Sequence, residues 1–376
     1  MRHCATAAAR IRFGSQQSQR PRARCPTEHC VNEALILWLA LFALMSLIII
    51  GAGVMLAKSG DRIADVTGLG GLLIGMVLVA AATSLPEIAV AVSAVIEGSP
   101  DLAIGNLLGS NMANMALLAI VDLAYRGRVW HRVGSGHART AAVAIALTSI
   151  AVLAILRPFE IALGWVGIES IIIFIGFISL ITWTRRSSIP AVPTGEVSHE
   201  TAAEDQAGEA VPSAGSMLQK IKGDLARFGV AALIILVSAP VLVIAANGIA
   251  EESGLGETFV GASFLAFSTS LPELATAVAA VRIGAFDLAV GSLLGSNAFN
   301  MAIILIVDLF YLEGPILADV AAIEAFVGVG AILLMAIVLA GIIHGARTRS
   351  SRLEPGSGMA LIVYLLLMFM IWTAGA

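Results

Sequence analysis

The hexapeptide ATSLPE occupies residues 82–87, and STSLPE repeats it at 268–273. Each copy sets a proline and a glutamate inside an apolar stretch, where a helix crossing lipid accommodates neither cheaply. Proline has no N–H, so the helix loses a hydrogen bond and a carbonyl is displaced, leaving acceptors free. In lipid such acceptors need partners from neighbouring groups, water or an ion. Carbonyls freed near Ala80 to Ser84 and near Ala266 to Ser270 are ready cation ligands. Thr83, Ser84, Thr269 and Ser270 add hydroxyls beside them, and Glu87 and Glu273 add negative charge. Every donor is oxygen, which hard cations such as Ca²⁺ and Na⁺ prefer. A carboxylate at membrane depth costs roughly 2.5–3.5 kcal/mol even on the lenient insertion scale. A capped kink with a neutral glutamate explains one such copy. Two copies at symmetric positions argue for a site.

A second pair of blocks follows, GNLLGSNMANM at 105–115 and GSLLGSNAFNM at 291–301. Ser110 and Asn114 are four residues apart and share a helix face, as do Ser296 and Asn300. These four complete the candidate ligand set. Asn111 and Asn297 lie about 100° further round the helix, placed to cap or to pair. Gly105, Gly109, Gly291 and Gly295 form patterns that permit close helix approach, and packing alone suffices to explain them. Asp101 and Asp287 fall where a helix is entered, and Asp122 and Asp308 near its exit; helix capping or interfacial solvation fits all four. Glu169 and Glu324 stand in peripheral helices without a motif and receive no role.

These side chains need long apolar helices to hold them. Of the 376 residues, 58% are hydrophobic and 13% charged; soluble domains carry about 25% charged residues. An integral membrane protein is expected. Runs of about 20 apolar residues can cross a bilayer, and ten are visible: 34–57, 70–96, 102–125, 138–156, 161–184, 228–250, 258–281, 288–312, 316–344 and 357–375. Little alternation runs through them, which argues against a transmembrane barrel. Residues 1–33 form a basic tail, read as disordered or as a misassigned start; an Arg-rich transit peptide also fits its composition. All three cysteines (Cys4, Cys25 and Cys30) lie there, with His3 and His29 nearby but no standard metal spacing. Residues 185–226, rich in Pro, Ala, Gly and acids, read as a flexible linker. It separates a first five-helix unit, 34–184, from a second, 227–376.

The two units repeat. Shifted by 186 residues, the stretch 79–125 matches 265–311 at 29 of 47 positions without a gap. The identity concentrates in polar and small residues. Five helices per unit is an odd number, so the second unit enters the membrane in the opposite sense. The expected fold is an all-α membrane protein, ten transmembrane helices as two inverted five-helix repeats. In such transporters the substrate site sits at the repeat interface near the midplane. Lys and Arg test the topology. One set of loops collects fifteen of them, among them Arg126, Arg185, Arg186, Arg282 and Arg347, while the other set outside the tail holds Arg157 alone. The positive-inside rule then puts the linker in the cytoplasm and both termini outside. The basic tail objects to that arrangement.

The paired blocks resemble the two alpha repeats of the cation/calcium antiporter superfamily, most closely the prokaryotic sodium/calcium exchangers. The resemblance covers roughly residues 34–375. It implies a four-part cation site from the second and third helices of each half. It assigns the Ca²⁺ carboxylates to Glu87 and Glu273. It assigns Na⁺ ligation to those two with Ser84, Ser110, Ser270 and Ser296, together with backbone oxygens near Thr83 and Thr269. It also implies alternating access, with helices 1 and 6 sliding over the other eight. One residue departs from the pattern. Many such exchangers have an aspartate at the position of Asn300, whereas both repeats here end in asparagine, Asn114 and Asn300. Two formal negative charges remain, enough to neutralise one Ca²⁺ or two Na⁺.

The function expected is antiport of Na⁺ against Ca²⁺ in a prokaryotic inner membrane. The expected partners are the two ions as substrates and membrane lipid, with no cofactor, no nucleic acid and no obligatory protein partner. Because the two cargoes compete for one pair of glutamates, the empty site is highly charged and resists crossing, which couples the fluxes. An H⁺/Ca²⁺ exchanger of the same fold is the first alternative, since carboxylates carry protons; the retained serines favour Na⁺, because hydroxyls ligate it without titrating. A cation channel is the second, weakened because channels build pores from rings of subunits. An enzyme is not expected: the sequence has no phosphate loop, no nucleophile paired with a base and no His/Cys metal cluster.

Overall fold

The computed structural model describes residues 28–96, 98–125, 129, 132–134, 136–159, 161–188, 214–253, 266–347 and 355–375. The tail before residue 28 and the linker between 188 and 214 lie outside the described residues. The elements in order are α1 (Glu28–Thr67), α2 (Gly70–Ile74), a π-helical turn (Gly75–Val79), α3 (Ala80–Thr83), α4 (Leu85–Ile96), α5 (Pro100–Ala124) and α6 (Gly136–Leu156). A small antiparallel hairpin follows, β1 (Ala162–Leu163) with β2 (Val166–Gly167), then α7 (Ile168–Ser188) and α8 (Ala214–Ser253). The last part holds α9 (Ala266–Thr269), α10 (Leu271–Arg282), α11 (Phe286–Phe310), α12 (Ala322–Arg347) and α13 (Pro355–Gly375).

Among the described residues, eight helices are long and apolar enough to cross a membrane, or nine if the pair Gly70–Thr83 with Leu85–Ile96, bent by 45°, is counted as one span. The protein is therefore a mostly helical, multi-pass membrane protein. The expected span 258–281 is described only from residue 266 on. Several helix limits differ from those expected. α1 continues to Thr67, and α8 begins at Ala214, inside the segment read as linker. Their polar ends meet: Arg62 Nη1 of α1 lies 3.2 Å from Asp224 Oδ1 of α8, an atom that Arg227 Nη1 of the same helix α8 also approaches at 3.3 Å. The expected helix from 161 starts instead as the hairpin, turned at Gly164 with φ of +70°, a conformation that favours glycine.

α5 and α11 form the centre and are buried along most of their length, whereas α1 and α13 turn most of theirs outward. Matching turns feed the central pair. Gly98 (φ +76°) follows α4 and Gly284 (φ +87°) follows α10. After each, the next N–H reaches back five residues, Ser99 to Ala94 at 2.9 Å and Ala285 to Ala280 at 2.9 Å. Glycine at this position closes a helix because left-handed backbone carries no Cβ penalty there. Elsewhere glycine allows contact: a Cβ on Gly295 of α11 would stand 2.5 Å from the Met76 Cα of the π-helical turn.

The four repeated aspartates fasten the helix ends, and they do so across the two halves. Asp101, opening α5, accepts the N–H of Ala321 at 2.6 Å, just before α12. Asp287, opening α11, accepts the N–H of Gly134 at 2.9 Å and meets His137 Nε2 at 2.8 Å, at the start of α6. Near the exits, Asp122 accepts from Val129 N–H (3.0 Å) and Ser357 Oγ (2.6 Å), and Asp308 from Gly167 N–H (2.9 Å) and Ile316 N–H (2.8 Å). Asp122 and Asp308 are fully buried, so solvation does not hold them, whereas Asp101 is exposed and the Asp287 side chain is 47% exposed, so interfacial solvation remains open for that pair. Since α5 starts beside the segment that follows α11, and α11 starts beside the segment that follows α5, the two central helices run in opposite directions.

Candidate cation site

Both prolines stand just after a break in their helix. Ser84 (φ −87°, ψ 9°) separates α3 from α4, and Ser270 (φ −85°, ψ 4°) separates α9 from α10. Helical bonding resumes across each break, with Ile88 N–H on Ser84 O at 3.2 Å and Leu274 N–H on Ser270 O at 3.1 Å. Pro86 brings no N–H, so the carbonyl of Ala82 loses its i+4 helical donor. A turn with π-helical bonding precedes the first break, a feature frequent at functional positions and unsignalled by the apolar run itself. The breaks put Glu87 and Glu273 in the first turns of α4 and α10.

The structure brings seven of the expected residues together from both halves: Thr83, Ser84, Glu87, Ser110, Thr269, Glu273 and Ser296. Ser84 Oγ lies 3.4 Å from Glu273 Oε1 and 3.2 Å from Ser296 Oγ, and Ser296 Oγ lies 3.3 Å from the same carboxylate oxygen. Ser110 Oγ meets Thr269 Oγ1 at 3.5 Å. Thr269 also faces Glu87, and Thr83 faces Glu273, so each threonine serves the glutamate of the other half. Thr83 also back-bonds to the carbonyls of Val79 (3.1 Å) and Ala80 (3.2 Å). Thr83, Ser84, Glu87, Ser110, Asn114, Thr269, Ser270, Glu273, Ser296 and Asn300 are each at most 1% exposed, so anything bound among them is largely stripped of bulk water.

Burial at that level leaves a debt. Glu87 Oε2, Glu273 Oε2, Asn114 Oδ1, Asn300 Oδ1 and Ser270 Oγ are buried without a hydrogen-bond partner. Among the described residues, no ion pair reaches either glutamate. Buried charges persist when paired or when they coordinate a cation. The orphaned atoms are oxygens, two of them from carboxylates, and they suit a dehydrated hard cation. A soft-metal site has no counterpart: among the described residues no group of three or more His, Cys, Asp or Glu side chains converges.

Asn111 and Asn297, left between capping and pairing, pair with each other. Asn111 Nδ2 donates to the backbone carbonyl of Asn297 at 3.2 Å, and Asn297 Nδ2 to that of Asn111 at 3.2 Å. Asn114 Nδ2 then donates to Asn297 Oδ1 and Asn300 Nδ2 to Asn111 Oδ1, each at 3.0 Å. The signal for this was present, since both asparagines recur in the two GSN triplets, but facing helices were needed to read it. Glu169, buried beside Asp308, joins none of these contacts, and Glu324 packs against Gly105.

A family model described as sodium/calcium exchanger protein matches residues 37–183 and 224–373. The inner membrane protein YrbG of Escherichia coli K12 is 30% identical over 271 residues, 72% of this chain and 79% of that one. The sodium/calcium exchanger MaX1 of Methanosarcina acetivorans is 26% identical over 306 residues, 68% of this chain and 77% of its own. Among solved structures, the sodium-calcium exchanger NCX_Mj soaked with 10 mM Na⁺ matches with a TM-score of 0.64 at 20% identity, covering 88% of this chain and 98% of that one, a likeness of fold.

Proposed function

The chain belongs to the sodium/calcium exchanger protein family, a family of ion exchangers rather than enzymes, and from that premise we propose that it is a secondary antiporter driving Ca²⁺ transport with Na⁺. The observation that carries this reading is the set of five buried, unpartnered oxygens on Glu87, Glu273, Asn114, Asn300 and Ser270. Two carboxylates offset one Ca²⁺ or two Na⁺, while the hydroxyls of Ser84, Ser110 and Ser296 with Thr83 and Thr269 fill out an oxygen shell of the kind both ions use. Empty, the site holds up to two negative charges in a dry surround, a state that resists moving through the membrane. Either cargo removes that barrier, and the fluxes are coupled because both need the same glutamates. The architecture proposed is ten spans as two inverted repeats, supported by the opposed directions of α5 and α11 and by the exchanged aspartate caps. The segment between the repeats lies in the cytoplasm of a prokaryotic inner membrane, with the C terminus outside.

Proton-driven exchange uses the same two glutamates, and the asparagine at 300 keeps that reading open. The deciding experiment is ⁴⁵Ca²⁺ uptake into vesicles holding the purified protein, driven in turn by a Na⁺ gradient and by a pH gradient. Uptake with Na⁺ alone is expected. Uptake with the pH gradient alone would replace Na⁺ by H⁺ as the counter-ion, and uptake with neither would end the antiporter reading.

A further inference from the structure

Asn111 and Asn297 sit where α5 and α11 face each other, and their contacts form a closed reciprocal set. Each side-chain amide donates to the other's backbone carbonyl at 3.2 Å. A backbone carbonyl only accepts, so the Nδ2 of each asparagine must be the atom pointing at it. That fixes both amides. The Oδ1 of Asn111 then faces Asn300 and the Oδ1 of Asn297 faces Asn114. These are acceptors, so Asn300 and Asn114 must present their own Nδ2 to them, as they do at 3.0 Å each. One consequence remains: the Oδ1 atoms of Asn114 and Asn300 are turned away from the pair, and both are buried without a partner. All four amides are at most 1% exposed, so no bulk water competes for the arrangement.

We infer that Asn111 and Asn297 are positioning residues: a crossed amide clasp in which each holds the ligand asparagine of the opposite repeat, Asn111 orienting Asn300 and Asn297 orienting Asn114, so that two neutral carbonyl oxygens face the cation. The inference deepens the proposed antiport and rests on it. The clasp supplies oriented oxygen without adding charge, which leaves Glu87 and Glu273 as the whole negative complement. It also ties α5 to α11 at the site, so these two helices hold their spacing while other elements move. Outer partners that fix a ligand's orientation typically govern about 10–100-fold of metal affinity or activity.

The test is a pair of double-mutant cycles on Ca²⁺ half-saturation of flux in vesicles, with Ca²⁺ protection against thermal unfolding in detergent as a second measurement. Asn111→Ala and Asn297→Ala should each raise half-saturation about 10–100-fold, with less effect on the maximal rate. The coupling should be crossed. Asn111→Ala should add little once Asn300→Ala is present but its full cost on top of Asn114→Ala, and Asn297→Ala should show the reverse pattern. Additive effects in all four combinations, or coupling along each helix instead of across, would overturn the clasp. Should an alanine variant fail to fold, the serine variant at the same position is measured in its place. Misfolding of alanine and serine variants at both positions would make the amides structural and also overturn it. A native protein that neither moves Ca²⁺ nor is stabilised by it fails the antiport reading instead, so the two failures are told apart.

Discussion

Glu87 and Glu273 are at most 1% exposed and each keeps one carboxylate oxygen without a partner. Such groups cost stability when empty and repay it when a cation arrives. Glu87→Gln or Glu273→Gln should therefore act oppositely on the two states. The cation-free protein should melt higher than the native one, Ca²⁺ should stabilise it less, and Ca²⁺ flux should fall about 100-fold or more, the factor that about 3 kcal/mol of lost attraction represents. Native flux in either variant removes that glutamate from the site. Position 300 gives a second expectation, with its sign set by the hydrogen bond. Asn300 donates to Asn111 Oδ1, and an aspartate can donate there only with its proton on. Asn300→Asp should keep its flux at acid pH and lose it as pH rises, relative to the native protein at each pH; a variant whose profile parallels the native one refutes the donor requirement. The candidate ligand residues stood out in the sequence because each recurs 186 residues later in a setting hostile to polarity. Who bonds whom was not, because Asn111 and Asn297 meet only when two helices distant in sequence cross, and no spacing rule within one helix contains that crossing.

Helix limits were legible only where apolar sequence and helical backbone end together. Apolar content marks how far a span can sit in lipid, and nothing in it stops a helix at the membrane surface. α8 thus runs from Ala214 through charged residues that Arg62 and Asp224 tie to α1. The reverse holds at 161–167, apolar enough to read as span but turned into a hairpin by Gly164. The sequence left the repeated aspartates between capping and interfacial solvation, and their reach across the halves is a property of packing that it does not contain. That reach predicts an effect separable from ion binding. Asp122→Ala removes the buried carboxylate to which the Val129 N–H and the Ser357 hydroxyl both donate. The cost should be about 1–3 kcal/mol of stability, read as a lower melting temperature in detergent, while Ca²⁺ half-saturation of the folded fraction stays native. A change in half-saturation equal to that of the glutamate variants would assign Asp122 to the site.

At the scale of the whole molecule, charge and symmetry make one joint statement about orientation. Asp287 of α11 caps the start of α6, so the loops before α6 and before α11 share one face of the protein; Asp101 and α12 mark the opposite face. The first face carries Arg132, stacked over Phe286 with its guanidinium 5.0 Å from the ring, and Arg139, 5.4 Å from the Trp183 ring near the end of α7. Cationic loops are retained on the cytoplasmic side, so this face, and with it the segment joining α7 to α8, should be cytoplasmic. The check uses a protein with Cys4, Cys25 and Cys30 replaced by serine, which leaves no native thiol. Ser198→Cys in that background should resist a membrane-impermeant thiol reagent in intact cells and react once the membrane is opened. Thr373→Cys, close to the other end of the last helix and half a bilayer cycle away in topology, should react in intact cells without opening. The two results depend on one another, because α8 to α13 contain an odd number of crossings only if α9 and α10 belong to a complete span. Labelling at both positions in intact cells, or at neither, would mean an even number and would remove the inverted repeat; labelling at 198 alone would keep the repeat and turn the whole protein over, placing its arginine-poor face toward the cytoplasm.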